Sequence, residues 1–192
     1  MAAVTQLART TLFPLRALRR DSGDRALISD AQAGSAEAVE LLFRRHWGRA
    51  YRAAYLIVAD AGAAEDIAQE AFVAGIAALD RFDRRRPFAP WLHRIVVNRA
   101  IDWSRARAVR REVLGAPVES PDELRTSGLS DEIRSALEAL SPEHRAVVVL
   151  RYVLEYTPGE IARLLELPRG TVNSRLRRGL DALEAGLAEA VR

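Results

Sequence analysis

Six polar residues close to the C-terminus, Arg169, Thr171, Asn173, Ser174, Arg177 and Arg178, alternate with an apolar repeat at Val172, Leu176, Leu180 and Leu183. That repeat has helical spacing, so burying it leaves the six polar side chains on the exposed side of one helix. Guanidinium groups pair bidentately with guanine edges and with phosphate, Asn pairs bidentately with adenine, and Ser or Thr serves either base type. The chemistry on offer is therefore noncovalent reading of nucleic acid. A second helix must position the first. Thr157, Pro158 and Glu160 form a capping box with Pro at the first helical position, which starts a short helix that Leu167-Pro168 ends after about two turns. Small Ala162 stands where the two helices cross, so the pair reads as a helix-turn-helix. A plain helical hairpin with a solvated Arg face would carry the same residues. Glu166 occupies the turn position where Gly is usual, which predicts a strained or differently shaped turn.

Other chemistry is poorly supported. With no Cys, disulfides, thiol catalysis and Cys-ligated zinc are excluded. The three His residues, His46, His93 and His144, are far apart in sequence, and no nucleophile elbow, phosphate loop or paired metal-ligand motif occurs. The chain thus reads as no enzyme, with no metal, cofactor or small-molecule substrate; His46 reads as a surface or semi-buried residue.

The elements behind these residues are helical. Ala, Leu, Arg and Glu dominate the 192 residues while aromatics make up 6%, a composition that favours helices over sheets. All 29 basic residues are Arg, the net charge is +3 and the isoelectric point is near 9.9. An Arg-only basic set suits nucleic acid, and genomic GC bias produces the same composition. Residues 24–111 read as a run of helices. A stop at Gly34 and a start at Ser35 precede Val39, Leu42, Phe43, Trp47, Tyr51 and Tyr55, which are candidate core. A break at Asp60 to Gly62 follows, and then a helix with Ile67, Ala71, Ile76 and Leu79 inward and Glu65, Asp66, Gln69 and Glu70 outward. The polar stretch DRRRPFAP leads into a long helix from about Pro90 to Arg111. Residues 112–130, rich in Pro, Gly, Ser and Thr and lacking apolar periodicity, read as a flexible linker. From Asp131 helices resume, one opening at Ser141-Pro142. The fold class is all-α, with two small helical domains, 24–111 and 131–192, joined by the linker. Residues 1–23 read as a flexible or partly helical leader that superficially resembles a transit peptide or a surface-lying helix. No apolar run approaches the roughly 20 residues that cross a bilayer; the lack of Cys is compatible with a reducing cytoplasm, which is the expected location.

Over nearly all of residues 24–187 the sequence resembles the extracytoplasmic-function type of sigma-70-like sigma factors. AAEDIAQEAFVAGIAALDRFD followed by PFAPWLHRIVVNRAIDWSR resembles region 2 of that family, and LSPEHRAVVVLRYVLEYTPGEIARLLELPRGTVNSRLRRGLDAL resembles region 4. The resemblance implies that Glu65, Asp66, Gln69 and Glu70 dock on the clamp helices of the β′ subunit of core RNA polymerase, with the β-subunit flap a further contact. Taken alone, that face could equally be an ordinary solvated one. It also implies that the C-terminal six read the promoter −35 element and that the long helix with its preceding loop engages the −10 element. At about 100° per residue, Trp91, Arg94, Asn98, Asp102 and Arg105 share a sector of roughly 80°. Asn98, Arg94 and Arg105 would bond an unpaired base or phosphate, Phe82 would stack on the base, and Arg84, Arg85 and Arg86 would clamp phosphate. Trp91 reads equally as core or contact. Family members are commonly held by an anti-sigma protein, so such a partner is expected. A stand-alone helix-turn-helix regulator is the rival reading; it would bind its site alone and as a dimer.

Overall fold

A computed structural model describes residues 23–114 and 131–190, whose regular structure is helical throughout. The N-terminal half holds α1 (Asp24–Gln32), α2 (Ala36–Val58), α3 (Ala61–Ala77), a 3-10 turn (Leu79–Arg81) and α4 (Phe88–Leu114). The C-terminal half holds α5 (Asp131–Glu138), α6 (Pro142–Tyr152), α7 (Pro158–Leu165) and α8 (Arg169–Ala190). Apart from Gly23 and residues 112–114, which continue α4, the leader and linker fall outside the described residues. No helix among the described residues is long and apolar enough to cross a membrane.

Local chemistry sets the breaks. Gly34 takes φ +93°, open to Gly at little cost, and the Ser35 hydroxyl then accepts the Ala38 N–H at 3.2 Å to start α2. The Asp60 carboxylate accepts the Ala63 N–H at 3.0 Å and starts α3. Ala50, Ala53 and Ala54 on α2 are wholly buried, and such small side chains let neighbouring helices close on α2, around Ile57, Leu92, Val96 and Val97. Two expectations need correcting. Ile76 is 44% exposed, because nine residues at about 100° each place it opposite Ile67, and Phe72 and Gly75 face inward instead. His46 is buried rather than superficial, with its Nε2 3.0 Å from the Asp24 carboxylate.

In the C-terminal half, Val147, Val149, Leu150, Ile161 and Val172 are almost wholly enclosed. Gly179 lets α8 approach α6, since a Cβ there would lie 3.0 Å from Val148. The run Ala146 to Leu150 is apolar on every side because α6 packs both on α8 and on α2 and α4. The halves therefore share one continuous apolar cluster. Arg145, 8% exposed, bonds across the seam: Nη1 donates to the Ile57 carbonyl at 2.6 Å, while Nη2 donates to the Glu138 and Leu140 carbonyls at 2.6 and 3.0 Å.

Candidate nucleic-acid interface

The helix-turn-helix rests on a complete reciprocal cap. Thr157 Oγ1 accepts the Glu160 N–H at 3.3 Å, and Glu160 Oε2 accepts the Thr157 N–H at 2.8 Å. Glu166 then adopts φ 54° and ψ 41°, so of the strained and the differently shaped turn it is the strained left-handed one that forms, and the Leu167 N–H closes onto the Ala162 carbonyl at 2.9 Å. A non-glycine residue there costs roughly 1–2 kcal/mol. Beyond the turn, α8 begins at Arg169, with Val172, Leu176 and Leu183 buried against the core. Arg169, Asn173, Arg177 and Arg178 are exposed, and Thr171 and Ser174 are half-buried at the edge of the same surface. Four basic or amide groups on the outer face of a supported helix can enter a major groove and reach base edges.

The second set is less uniform. Asn98 is exposed on α4, whereas Arg94 lies 2.8 Å from Glu166 and Arg105 donates through Nε to Glu143 at 2.7 Å. Burial pushes the Glu143 carboxyl up, but the Arg105 hydrogen bond and charge outweigh that and hold it below the usual range. Trp91 is half-buried, its ring 4.7 Å from Phe82 and 5.5 Å from Phe88. Phe82 itself must be corrected. It is 8% exposed and sits in that aromatic cluster, while Gln32 Nε2 donates to the Leu79 and Phe82 carbonyls at 2.8 and 3.1 Å and fixes the turn. Its ring is thus spent on the core and is not presented to a base. Arg84, Arg85 and Arg86 are exposed in the loop; Arg84 donates to Ser29 Oγ at 2.8 Å and Arg85 to Asp83 at 3.0 Å.

On α3, Glu65, Asp66, Gln69 and Glu70 are all exposed. Asp66, Gln69 and Glu70 line an open groove with Val73, Ala74, Ala77 and Arg99, and Val73 is 68% exposed. A bare Val beside acids offers a partner an apolar centre with a polar rim. Sequence reasoning missed that Val, and it missed Glu143, Arg145 and Tyr156 at the seam between the halves. His93, buried in α4, meets Tyr156 there, Nδ1 to hydroxyl 2.8 Å. Only the all-apolar face of α6 hinted at the seam.

Two family models match the chain: Sigma-70 region 2 over residues 42–110 and Sigma-70, region 4 over residues 130–183. The chain is 33% identical over 171 residues to the ECF RNA polymerase sigma factor SigL of Mycobacterium tuberculosis, which covers 85% of this chain and 97% of the relative. It is 29% identical over 178 residues to the ECF RNA polymerase sigma factor SigW of Bacillus subtilis, covering 84% and 95%. Among solved structures, CnrH in complex with the cytosolic domain of CnrY aligns with a TM-score of 0.67 at 31% identity, covering 86% of this chain and 97% of that one. CnrH is an RNA polymerase sigma factor of Cupriavidus metallidurans.

Proposed function

The chain belongs to the sigma-70 family of RNA polymerase sigma factors, in its extracytoplasmic-function group, and on that premise we propose how its two halves divide promoter recognition. The factor joins core RNA polymerase, reads the −35 element as duplex through α8, and captures the −10 element on α4 to begin melting. Arg169, Thr171, Asn173, Ser174, Arg177 and Arg178 serve the −35 element. Asn98, with Arg94, Arg105 and the edge of Trp91, takes a base that has left the stack, and Arg84 to Arg86 hold the phosphates beside it. Holding that base offsets the few kcal/mol its unstacking costs. The face of α3 from Glu65 to Val73 docks on the β′ clamp helices, and the C-terminal half meets the β flap. Nothing covalent is required, so the protein acts as a recognition subunit and not as an enzyme. It works where polymerase works, in the cytoplasm. An anti-sigma protein is its regulatory partner; CnrH was solved bound to the cytosolic domain of a second protein, CnrY, and the sigma factor RpoE of Bartonella quintana bound to the anti-sigma factor NepR.

The observation that carries the reading is the capped helix-turn-helix with an Arg and Asn outer face in the same chain as the exposed Asn98 stripe. A stand-alone regulator has no use for the second. Geometry adds a consequence. Elements centred at −35 and −10 are about 25 base pairs apart, or roughly 85 Å at 3.4 Å per pair. A compact chain of this length has a radius of gyration of about 16 Å. Here the helix-turn-helix turn touches α4 at 2.8 Å, so the halves part when both elements are read.

Run-off transcription with purified core polymerase and a cognate promoter tests the proposal, with transcript expected only when this protein is added. No transcript from any of a panel of genomic fragments would overturn it.

A further inference from the structure

We infer that Glu143 and Glu166 are internal phosphate mimics, which seat carboxylates on Arg105 and Arg94 of the −10 stripe and hold the free chain in a self-occluded state. The inference rests on the assignment of those two arginines to promoter DNA. Both pairs join opposite halves of the chain. Glu166 Oε1 lies 2.8 Å from Arg94 Nη2, and Glu143 Oε1 lies 2.7 and 2.6 Å from Nε and Nη2 of Arg105. These are the contacts a phosphate oxygen makes with a guanidinium fork. DNA and the C-terminal half therefore compete for the same donors.

The two acids are placed for this use by different means. Glu143 stands in the first turn of α6, where the helix dipole favours an acid, and its side chain is mostly covered, so it needs little ordering. Glu166 sits where the backbone would be served at lower cost by Gly, and its carboxylate reaches Arg94. Next to Arg94 on α4, His93 bonds the Tyr156 hydroxyl of the other half, and Arg145 joins the halves again at the Ile57 carbonyl. When the halves part, Arg145 keeps its bonds to Glu138 and Leu140 within its own half, so only one of its three contacts is surrendered. Arg94, Arg105 and Glu166 are substantially exposed, so salt and a polyanion can reach these pairs and displace them. Arg84 and Arg85 bond only to Ser29 and Asp83 of their own half, and Arg169, Arg177 and Arg178 of α8 are exposed, so the contacts that join the two halves fall on Arg94 and Arg105 of the α4 stripe.

The absence of cysteine permits a direct test on the full chain. Asp80→Cys and Asp181→Cys place donor and acceptor dyes on exposed positions of the two halves. High energy transfer is expected at low salt, falling as salt rises and when core polymerase is added. The pair Glu143→Gln with Glu166→Gly should lower transfer at low salt. It should also tighten binding of a mixed-sequence single-stranded DNA on the order of fivefold, the effect of two partly exposed ion pairs. Asp30→Asn with Glu37→Gln changes net charge equally at exposed positions away from the seam and sets the baseline for that comparison. The exchange Arg94→Glu with Glu166→Arg should restore high transfer to Glu166→Arg alone, a rescue that a misfolded variant cannot show. Low transfer in the unchanged protein at every salt concentration would overturn the inference. So would DNA binding by the first variant no tighter than the charge-matched baseline. Run-off transcription scores the promoter reading separately: a chain that transcribes but never closes defeats the mimicry alone, and one that closes but never transcribes defeats the assignment of the stripe.

Discussion

Asp24 and His46 form a buried pair, carboxylate to Nε2 at 3.0 Å, that pins the first turn of α1 to the middle of α2. The other oxygen of Asp24 accepts from Arg45 Nη1 at 2.6 Å. Asp24 is 2% exposed, so removing it strands a buried imidazole without its partner. Asp24→Ala is expected to cost about 2–4 kcal/mol, read as a lower urea midpoint with unchanged slope. A change below about 0.5 kcal/mol would show that α1 is not held by this pair.

Two buried groups make stability fall with acid, in separate windows. Burial works to raise the Asp24 pKa, but hydrogen bonds and charge from His46 and Arg45 outweigh it and hold the carboxyl below its ordinary value. Its contribution is therefore intact above about pH 3.9 and lost as pH falls through the lowered value. Burial holds His93 neutral, with help from the charges of His46 and Arg49, and its pKa is lowered to about 3. The unfolded chain takes up this proton below about pH 6.5 and the folded chain does not, so stability declines from there toward pH 3. At pH 5 the loss reaches about 2 kcal/mol relative to neutral pH. Urea midpoints at pH 7 and pH 5 measure it, and His93→Phe should flatten the difference. The facing groups are His46 and Arg49 from α2 and Tyr156 from the C-terminal half.

The helix-turn-helix separates two backbone effects. Thr157→Ala removes the hydroxyl that accepts from Glu160 N–H and is expected to cost about 1 kcal/mol. Glu166→Gly relieves the left-handed strain, about 1–2 kcal/mol, and gives up one exposed ion pair of at most about 1 kcal/mol. Thermal melting should fall by a few degrees for the first and hold or rise for the second. A drop for Glu166→Gly comparable to that for Thr157→Ala would mean the Arg94 contact outweighs the strain.

Legibility in the sequence followed the range of the interaction. The caps at Ser35, Asp60, Ser141 and Thr157 bond only three residues ahead, so residue type and spacing disclosed them. The outer face of α8 was readable for the same reason. Partners such as Arg145 and Ile57, 88 residues apart, leave no local trace, and neither did the pairing of Arg105 with Glu143 across 38. Phe82 shows the converse error. An aromatic residue in a polar, arginine-rich stretch reads as exposed, yet three-dimensional neighbours Phe88 and Trp91 supply the apolar surface its own sequence neighbours lack.

Promoter discrimination should divide between the halves. Asn98 is exposed on α4, and Arg169 opens the recognition helix more than 70 residues later, so each can be changed without touching the other's support. With polymerase present, Asn98→Ala should impair use of promoters that depend on the −10 element while leaving duplex −35 binding intact. Arg169→Ala should do the reverse, and a lost bidentate base contact costs about 1–3 kcal/mol of discrimination. Arg178→Ala, farther along α8, is a phosphate change: it should weaken all sequences alike and reduce the slope of log affinity against log salt by about 1. Competition assays with −10 and −35 mutant promoters measure all three. Equal loss at both elements from Asn98→Ala would mean that α4 holds the fold or polymerase and does not read DNA.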